Sequence, residues 1–390
     1  MPRRWRRFVA PGFAAILAPS AAPAGGQSIA IFTPDPIVAP SPEGLSDIAS
    51  NFDRATEIER DQSPVGRDNN VEGAFRFICQ PGQLNWDDPI VFPGQPNASP
   101  HLHQWFGNAL GNALSTYASL RRAGESSCMG PLNRSAYWMP AMLNGRGQVV
   151  RPDWISIYYK RVPNTALICG KGGANCRALP RGLRYIFGFD TKRMTERQPE
   201  NILFHWKCVT PQNTYIGGSE ARFDRLDCPA GNSLMVTLSS PNCWDGKRLD
   251  SPDHRRHMAY QIYDGTRPDA VCPRSYPIIV PQFTIGASYG VAEGERIQDW
   301  YLSSDRMAGM PQMPPGSTFH ADWYGAWDEP TLKTWTDNCI DKVLSCSAGQ
   351  LGDGTIMRRR AGYTLVANPR LVPAPSRPAA AMTGMADMKK

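Results

Sequence analysis

Five of the six histidines in this chain sit in three short polar and aromatic motifs. The first is His101-Leu102-His103-Gln104-Trp105-Phe106-Gly107. Histidines at i and i+2 of an extended strand project from one face, so a single strand can offer two imidazoles to one ion. The second motif is Cys243-Trp244-Asp245-Gly246, followed by Asp250-Ser251-Pro252-Asp253-His254-Arg255-Arg256-His257. The third is Phe319-His320-Ala321-Asp322-Trp323, followed by Gly325-Ala326-Trp327-Asp328. Neutral imidazole suits Zn, Cu, Fe or Ni. The pattern therefore predicts a transition-metal site, Cu or Zn, with His101, His103, His254 and His320 as ligands. Asp253 or Asp322 would serve as a carboxylate ligand or as the acceptor that fixes an imidazole tautomer. The bland alternative is that these histidines hold loops together through hydrogen bonds.

A second chemistry needs no metal. Glycosidic bonds are commonly hydrolysed by two carboxylates, one acidic and one basic or nucleophilic. Asp245, Asp250, Asp253, Asp322 and Asp328 all stand among aromatic and glycine residues. Asp245 before Gly246 is also a turn signal, and Asp250 is read the same way. Asp253 and Asp322, each close to a histidine, are the expected catalytic carboxylates, with His257 as a third acid-base group. Four of the eleven tryptophans, Trp105, Trp244, Trp323 and Trp327, lie in or beside the same motifs. Flat rings stack on sugars and also fill β cores; the first role would make these four a glycan-binding cleft.

Other chemistries lack their signatures. There is no Gly-x-Ser-x-Gly elbow, phosphate loop, Rossmann fingerprint or His-Glu-x-x-His helix. Asn97-Ala98-Ser99 and Asn133-Arg134-Ser135 are formal glycosylation sequons.

Residues 1–24 run from Arg3, Arg4, Arg6 and Arg7 through an apolar stretch to small residues ending in Ala24, the order of a secretory signal peptide. Its apolar run is too short for a bilayer, which takes about 20 such residues, so stable membrane insertion is not expected. Removing the four arginines lowers the formal charge from +7 to +3. The remaining basic residues are interspersed with acids, which argues against a nucleic-acid partner. Ten cysteines, none of them in a CxxC pair, suit disulfides in a secreted or periplasmic protein. Cys169 and Cys176, flanking a glycine-rich loop, form the one pair that spacing suggests.

The composition divides the chain into a linker over 25–70, a globular domain over 71–365 and a disordered tail over 366–390. Short runs rich in Ile, Val, Tyr, Phe and Trp predict strands over 74–79, 137–143, 154–159, 184–187, 203–206, 234–238, 257–263 and 277–285. Helical spacing marks 107–122 and 329–345. The expected fold is mainly β: a single large sandwich-like domain with long loops and a few helices, stabilised by disulfides.

The ordered motifs also carry a resemblance. Asp88-Pro89-Ile90-Val91 with Pro93-Gly94, the His101 and His103 motif through Asn108, Cys243-Trp244-Asp245-Gly246 through His254, His257-Met258-Ala259-Tyr260, and His320-Ala321-Asp322 with Trp327-Asp328 resemble a family catalogued as a domain of unknown function. It is found in secreted fungal proteins, often beside WSC carbohydrate-binding domains, and in bacteria. The resemblance spans roughly residues 75–346 and implies secretion and a polysaccharide or cell-wall glycan as partner. It assigns no catalytic residue. Together these readings predict a secreted enzyme that cleaves a polysaccharide through a His and Asp site, by glycoside hydrolysis or metal-dependent cleavage. The alternative is a non-catalytic wall- or glycan-binding protein.

Overall fold

A computed structural model describes residues 32–378 apart from 68–70, 197, 199–203, 264–269 and 367. Thr33–Lys390 make one compact unit. The expected signal peptide, 1–24, lies outside the described residues, as does the end of the expected tail from 379 on.

Two antiparallel-dominated sheets face each other. Their strands, numbered along the chain, are β1 (Gly73–Cys79), β2 (Leu84–Asn85), β3 (His103–Gly107), β4 (Ala136–Pro140), β5 (Trp154–Arg161), β6 (Arg184–Gly188), β7 (Phe204–Val209), β8 (Tyr215–Glu220), β9 (Ser233–Ser239), β10 (Gln282–Gly290), β11 (His320–Tyr324) and β12 (Ser345–Cys346). Seven strands form one sheet in the order β8-β7-β9-β10-β5-β1-β12, and five form the other in the order β2-β3-β4-β11-β6. Only the β12 to β1 pairing is parallel.

The burial patterns of the two sheets differ, and the difference locates the site. In β5 and β9 buried and part-exposed residues alternate strictly, as they must when one face meets the core and the other is open. In β3, β4 and β11 every residue is buried, so the five-stranded sheet is covered on both faces. Its inner face meets the seven-stranded sheet through aromatic rings. Phe283 of β10 lies 5.3 Å from Trp323 and 5.4 Å from Phe187 between ring centroids, and the hydroxyls of Tyr137 and Tyr159 meet across the core at 2.7 Å. Burying one such ring stabilises the fold by roughly 1.5–3 kcal/mol. The outer face packs Trp105, Trp138 and Tyr324 against Ile90, Tyr117, Leu120 and the partly buried Leu45 and Ile48. Helix α1 (Tyr117–Arg122) and the loop before β3 thus form a third layer on that side.

Most expected strands are present with small shifts, but the run 257–263 keeps only Met258–Ala259. The expected helix over 107–122 is reduced to α1. Asn108 and Asn112 turn the chain before it, each accepting the N–H of the residue two places on at 2.8 Å, and Thr116 with Ser119 then forms a capping box. The helix expected over 329–345 is α2 (Glu329–Trp335), capped by Asp328, running into a single π turn at Thr336–Ile340. The linker and tail are not wholly irregular either. Ile58–Arg60 pairs with Thr355–Met357, and Leu371–Pro373, inside the segment expected to be disordered, pairs with Gln148–Val150. The Pro-rich, Ala-rich composition gave no sign of this short strand, which pairs with Gln148–Val150 as the outer strand of its sheet.

All ten cysteines are paired: Cys79–Cys128, Cys169–Cys176, Cys208–Cys228, Cys243–Cys272 and Cys339–Cys346. The local pair expected from spacing is among them. Such bonds belong to chains that mature in an oxidising compartment. Among the described residues no helix is long and apolar enough to cross a membrane.

Candidate metal centre

The outer face of the five-stranded sheet brings two of the three histidine motifs together. β3 starts at His103, which pairs with Pro140 of β4. β11 starts at His320, and two residues on Asp322 pairs with Trp138, also two residues from Pro140. His103 and His320 therefore flank the compact ring of Pro140 on one face. His101, just before β3, closes the gap: its ring centroid lies 4.3 Å from that of His103 and 5.0 Å from that of His320. One ring nitrogen from each of the three lies within 4.8 Å of the other two.

The hydrogen bonds around the rings set their tautomers. His103 Nδ1 lies 2.9 Å from the Asp87 carbonyl oxygen and His320 Nδ1 lies 2.8 Å from that of Thr318. A carbonyl only accepts, so each Nδ1 carries the proton and donates it, leaving the Nε2 lone pair free. Ser303 gives its hydroxyl proton to the Leu102 carbonyl at 2.6 Å, so its longer 3.5 Å contact with His101 Nδ1 has the histidine as donor. The His103 and His320 rings thus have the same tautomer, held by outer partners as in metal-ligating histidines, and the longer His101 contact is compatible with it. All three are buried. Burial, reinforced by the neighbouring histidines, pushes His101 and His103 well below the ordinary histidine range. Burial also takes His320 down to about 3 against the opposing Thr318 hydrogen bond. They are neutral imidazoles, the form that binds metal. A tetrahedral Zn site has Zn–N bonds of about 2.0–2.1 Å and often three protein ligands with the fourth position open; this set matches it in number and chemistry.

The fourth expected ligand, His254, is not in the group. It adopts a positive φ of 59° in the loop after β9, and its Nδ1 contacts Asp250 Oδ1 at 3.0 Å. Asp250 in turn pairs with Arg184 of β6 at 3.1 Å, so His254 closes a buried network on the flank. Asp253 is occupied in the same loop. It accepts from the Ser251 hydroxyl at 2.8 Å and from the N–H groups of Arg256 and Arg255 at 3.0 and 3.3 Å. Partial burial raises its pKa, but these donors and the Arg256 charge outweigh that and hold it below the usual carboxylate range. His257 is fully buried, its Nε2 donating to the Arg184 carbonyl at 2.9 Å, and burial lowers it to about 4.

Asp322 is different. It is 1% exposed, and neither carboxylate oxygen has a hydrogen-bond partner in the protein. Burial, with the Asp88 charge adding to it and Arg255 opposing, pushes its pKa well above the ordinary value. Asp88 and Arg255 were not singled out as site residues from the sequence. Asp88 stood only in the resemblance, and an arginine between two histidines carries no signal of its own.

The four tryptophans do not form a platform. Trp105, Trp244 and Trp323 are 0% exposed and Trp327 is 3% exposed, so none presents a face to a sugar. Trp105 stacks on Trp138 at 4.5 Å, and Trp327 packs edge-on against Phe77 at 5.3 Å. Their clustering near the polar motifs reflects the core that carries those motifs. The sequon residue Asn133 is likewise buried, donating to the Tyr137 hydroxyl at 3.0 Å.

Residues 88–327 match the model of a family described as a domain of unknown function (DUF1996). No curated protein and no solved structure matches the chain.

Proposed function

The chain belongs to the DUF1996 family, and from that premise we propose that it is an exported, metal-dependent enzyme that cleaves a polysaccharide outside the cytoplasm. One Zn or Cu ion is held by His101, His103 and His320. The observation that carries this reading is the convergence of three buried imidazoles, with Nδ1 of His103 and of His320 already committed to backbone carbonyls. Bound there, the ion would supply Lewis acidity or activate a water. Asp322, a buried carboxyl two residues from His320 and on the same face of β11, is the acid-base group of this proposal. Asp253 and His257 shape the loop that joins β9 to β10. The metal version is favoured over metal-free hydrolysis because Asp253, the second carboxylate that hydrolysis would need, is saturated by loop hydrogen bonds and an Arg256 ion pair at 2.9 Å. A cell-wall glycan is the proposed substrate, carried over from what the resemblance of the motifs implies about secretion and carbohydrate surfaces.

Burial of all three ligands favours a second reading, a structural ion in a non-catalytic wall- or glycan-binding protein. Elemental analysis of the purified chain, followed by cell-wall glycan screening with wild type and His103→Ala, separates the two. Near-stoichiometric metal with glycan cleavage lost in His103→Ala supports the enzyme. Metal without cleavage, but with a melting temperature that falls on chelation, supports the structural ion. Metal-free protein whose His103→Ala variant behaves as wild type sinks both.

A further inference from the structure

Three neutral imidazoles bring no negative charge to an ion. A divalent cation among them, with every ligand buried, leaves two positive charges where solvent screens poorly, and such charge needs a counter-charge nearby. Asp322 is placed to provide it. Strand alternation puts its side chain on the same face of β11 as that of His320. Both of its oxygens are unpartnered, an unusual condition for a buried polar group and one that points to an unaccounted partner. Asp88 and Arg255, whose charges reach Asp322, both have hydrogen-bond partners elsewhere. Asp88 Oδ1 already accepts the N–H groups of Ile90 and Val91, each at 2.9 Å. Arg255 spends its guanidinium on the carbonyls of Gly188 and Phe189 at 3.1 and 2.9 Å. The indole N–H groups of Trp105 and Trp138, on the same sheet face, make no hydrogen bond either.

We propose that Asp322, as the carboxylate when a divalent ion is held by His101, His103 and His320, supplies the negative charge that ion requires, and that it thereby sets the preference of the site for divalent over monovalent ions. The inference rests on the metal reading above.

Zn(II) and Ag(I) affinities of the full chain, measured by competition with chromophoric chelators, test it in wild type, Asp322→Asn and Asp322→Ala. Circular dichroism checks that each variant is folded, and the alanine variant covers the case in which the amide disturbs packing. Both variants should lose about 10–100-fold in Zn(II) affinity, the range typical of a partner next to the ligand shell, while Ag(I) affinity changes far less. Equal losses for the two ions, or no loss for Zn(II), overturn the role of Asp322. Failure of wild type to bind either ion overturns the metal reading on which the role depends, a result the variants do not mimic.

Discussion

The rings of His101 and His320, from opposite ends of the domain sequence, meet edge to face at 5.0 Å. Pairing of β4 with both β3 and β11 is what brings them together, with Pro140 of β4 standing between His103 and His320. The three-histidine cluster follows from strand order.

That geometry separates His103 from His254. His103→Ala should lower Zn(II) affinity by at least about 100-fold, as expected for loss of a direct ligand rather than of an outer partner. His254→Ala should keep the metal stoichiometry. Elemental analysis of both variants after gel filtration checks this, and an equal loss would mean that the loop of His254 is part of the site.

His257 gives a pH dependence of known sign. Its folded-state pKa of about 4 lies below the ordinary 6.5. Between those values the unfolded chain binds a proton that the folded chain refuses, so stability is full above pH 6.5 and falls as pH drops towards 4. The loss attributable to this residue is on the order of 3 kcal/mol. Urea unfolding at pH 7.5 and pH 4.5 should show a smaller drop for His257→Gln than for wild type.

The disulfides should differ in their contribution according to the loops they close. Cys79–Cys128 spans 49 residues and Cys169–Cys176 spans 7. Chain-entropy estimates give about 4 and about 2.5 kcal/mol respectively. Paired Cys→Ala variants compared by denaturant midpoint should rank in that order.

The C-terminal segment is expected to shield the metal site. Trp86, in the loop that leads to His101, donates from Nε1 to the Pro375 carbonyl at 3.3 Å, and the Arg377 guanidinium lies 5.5 Å above its ring. Val372 and Ala374 pack on the small cluster around Leu102. A chain ending at residue 365 should release its metal to a chelator faster than the full chain, measured in stopped flow. An unchanged rate would leave the segment with a purely structural role.

Because Trp323 and Trp105 are core residues, replacing either with Ala should cost roughly 3–5 kcal/mol of stability. A variant that melts like wild type but loses glycan binding would restore the sugar-stacking role.

The sequence alone was enough to indicate a disulfide-bonded, mainly β domain, because alternation, β-branched and aromatic content and paired cysteines are local properties that survive without coordinates. Cys169 with Cys176 was legible for the same reason: a glycine-rich loop of that length can close on itself. His101 with His103 was legible as a pair from their spacing, although His101 stands in a bend just before β3 and not on the strand from which the pairing was expected. Membership of the third ligand was not, since His254 and His320 stand in equally polar motifs. Only strand order decided it, placing β11 beside β4 while the loop of His254 was held on the flank by Asp250 and Arg184. The tryptophans misled for the converse reason. An indole suits a sugar face and a hydrophobic core equally well in sequence, and what distinguishes the two is whether another layer covers the ring. Here both faces of the five-stranded sheet are covered, which tertiary packing decides and composition does not.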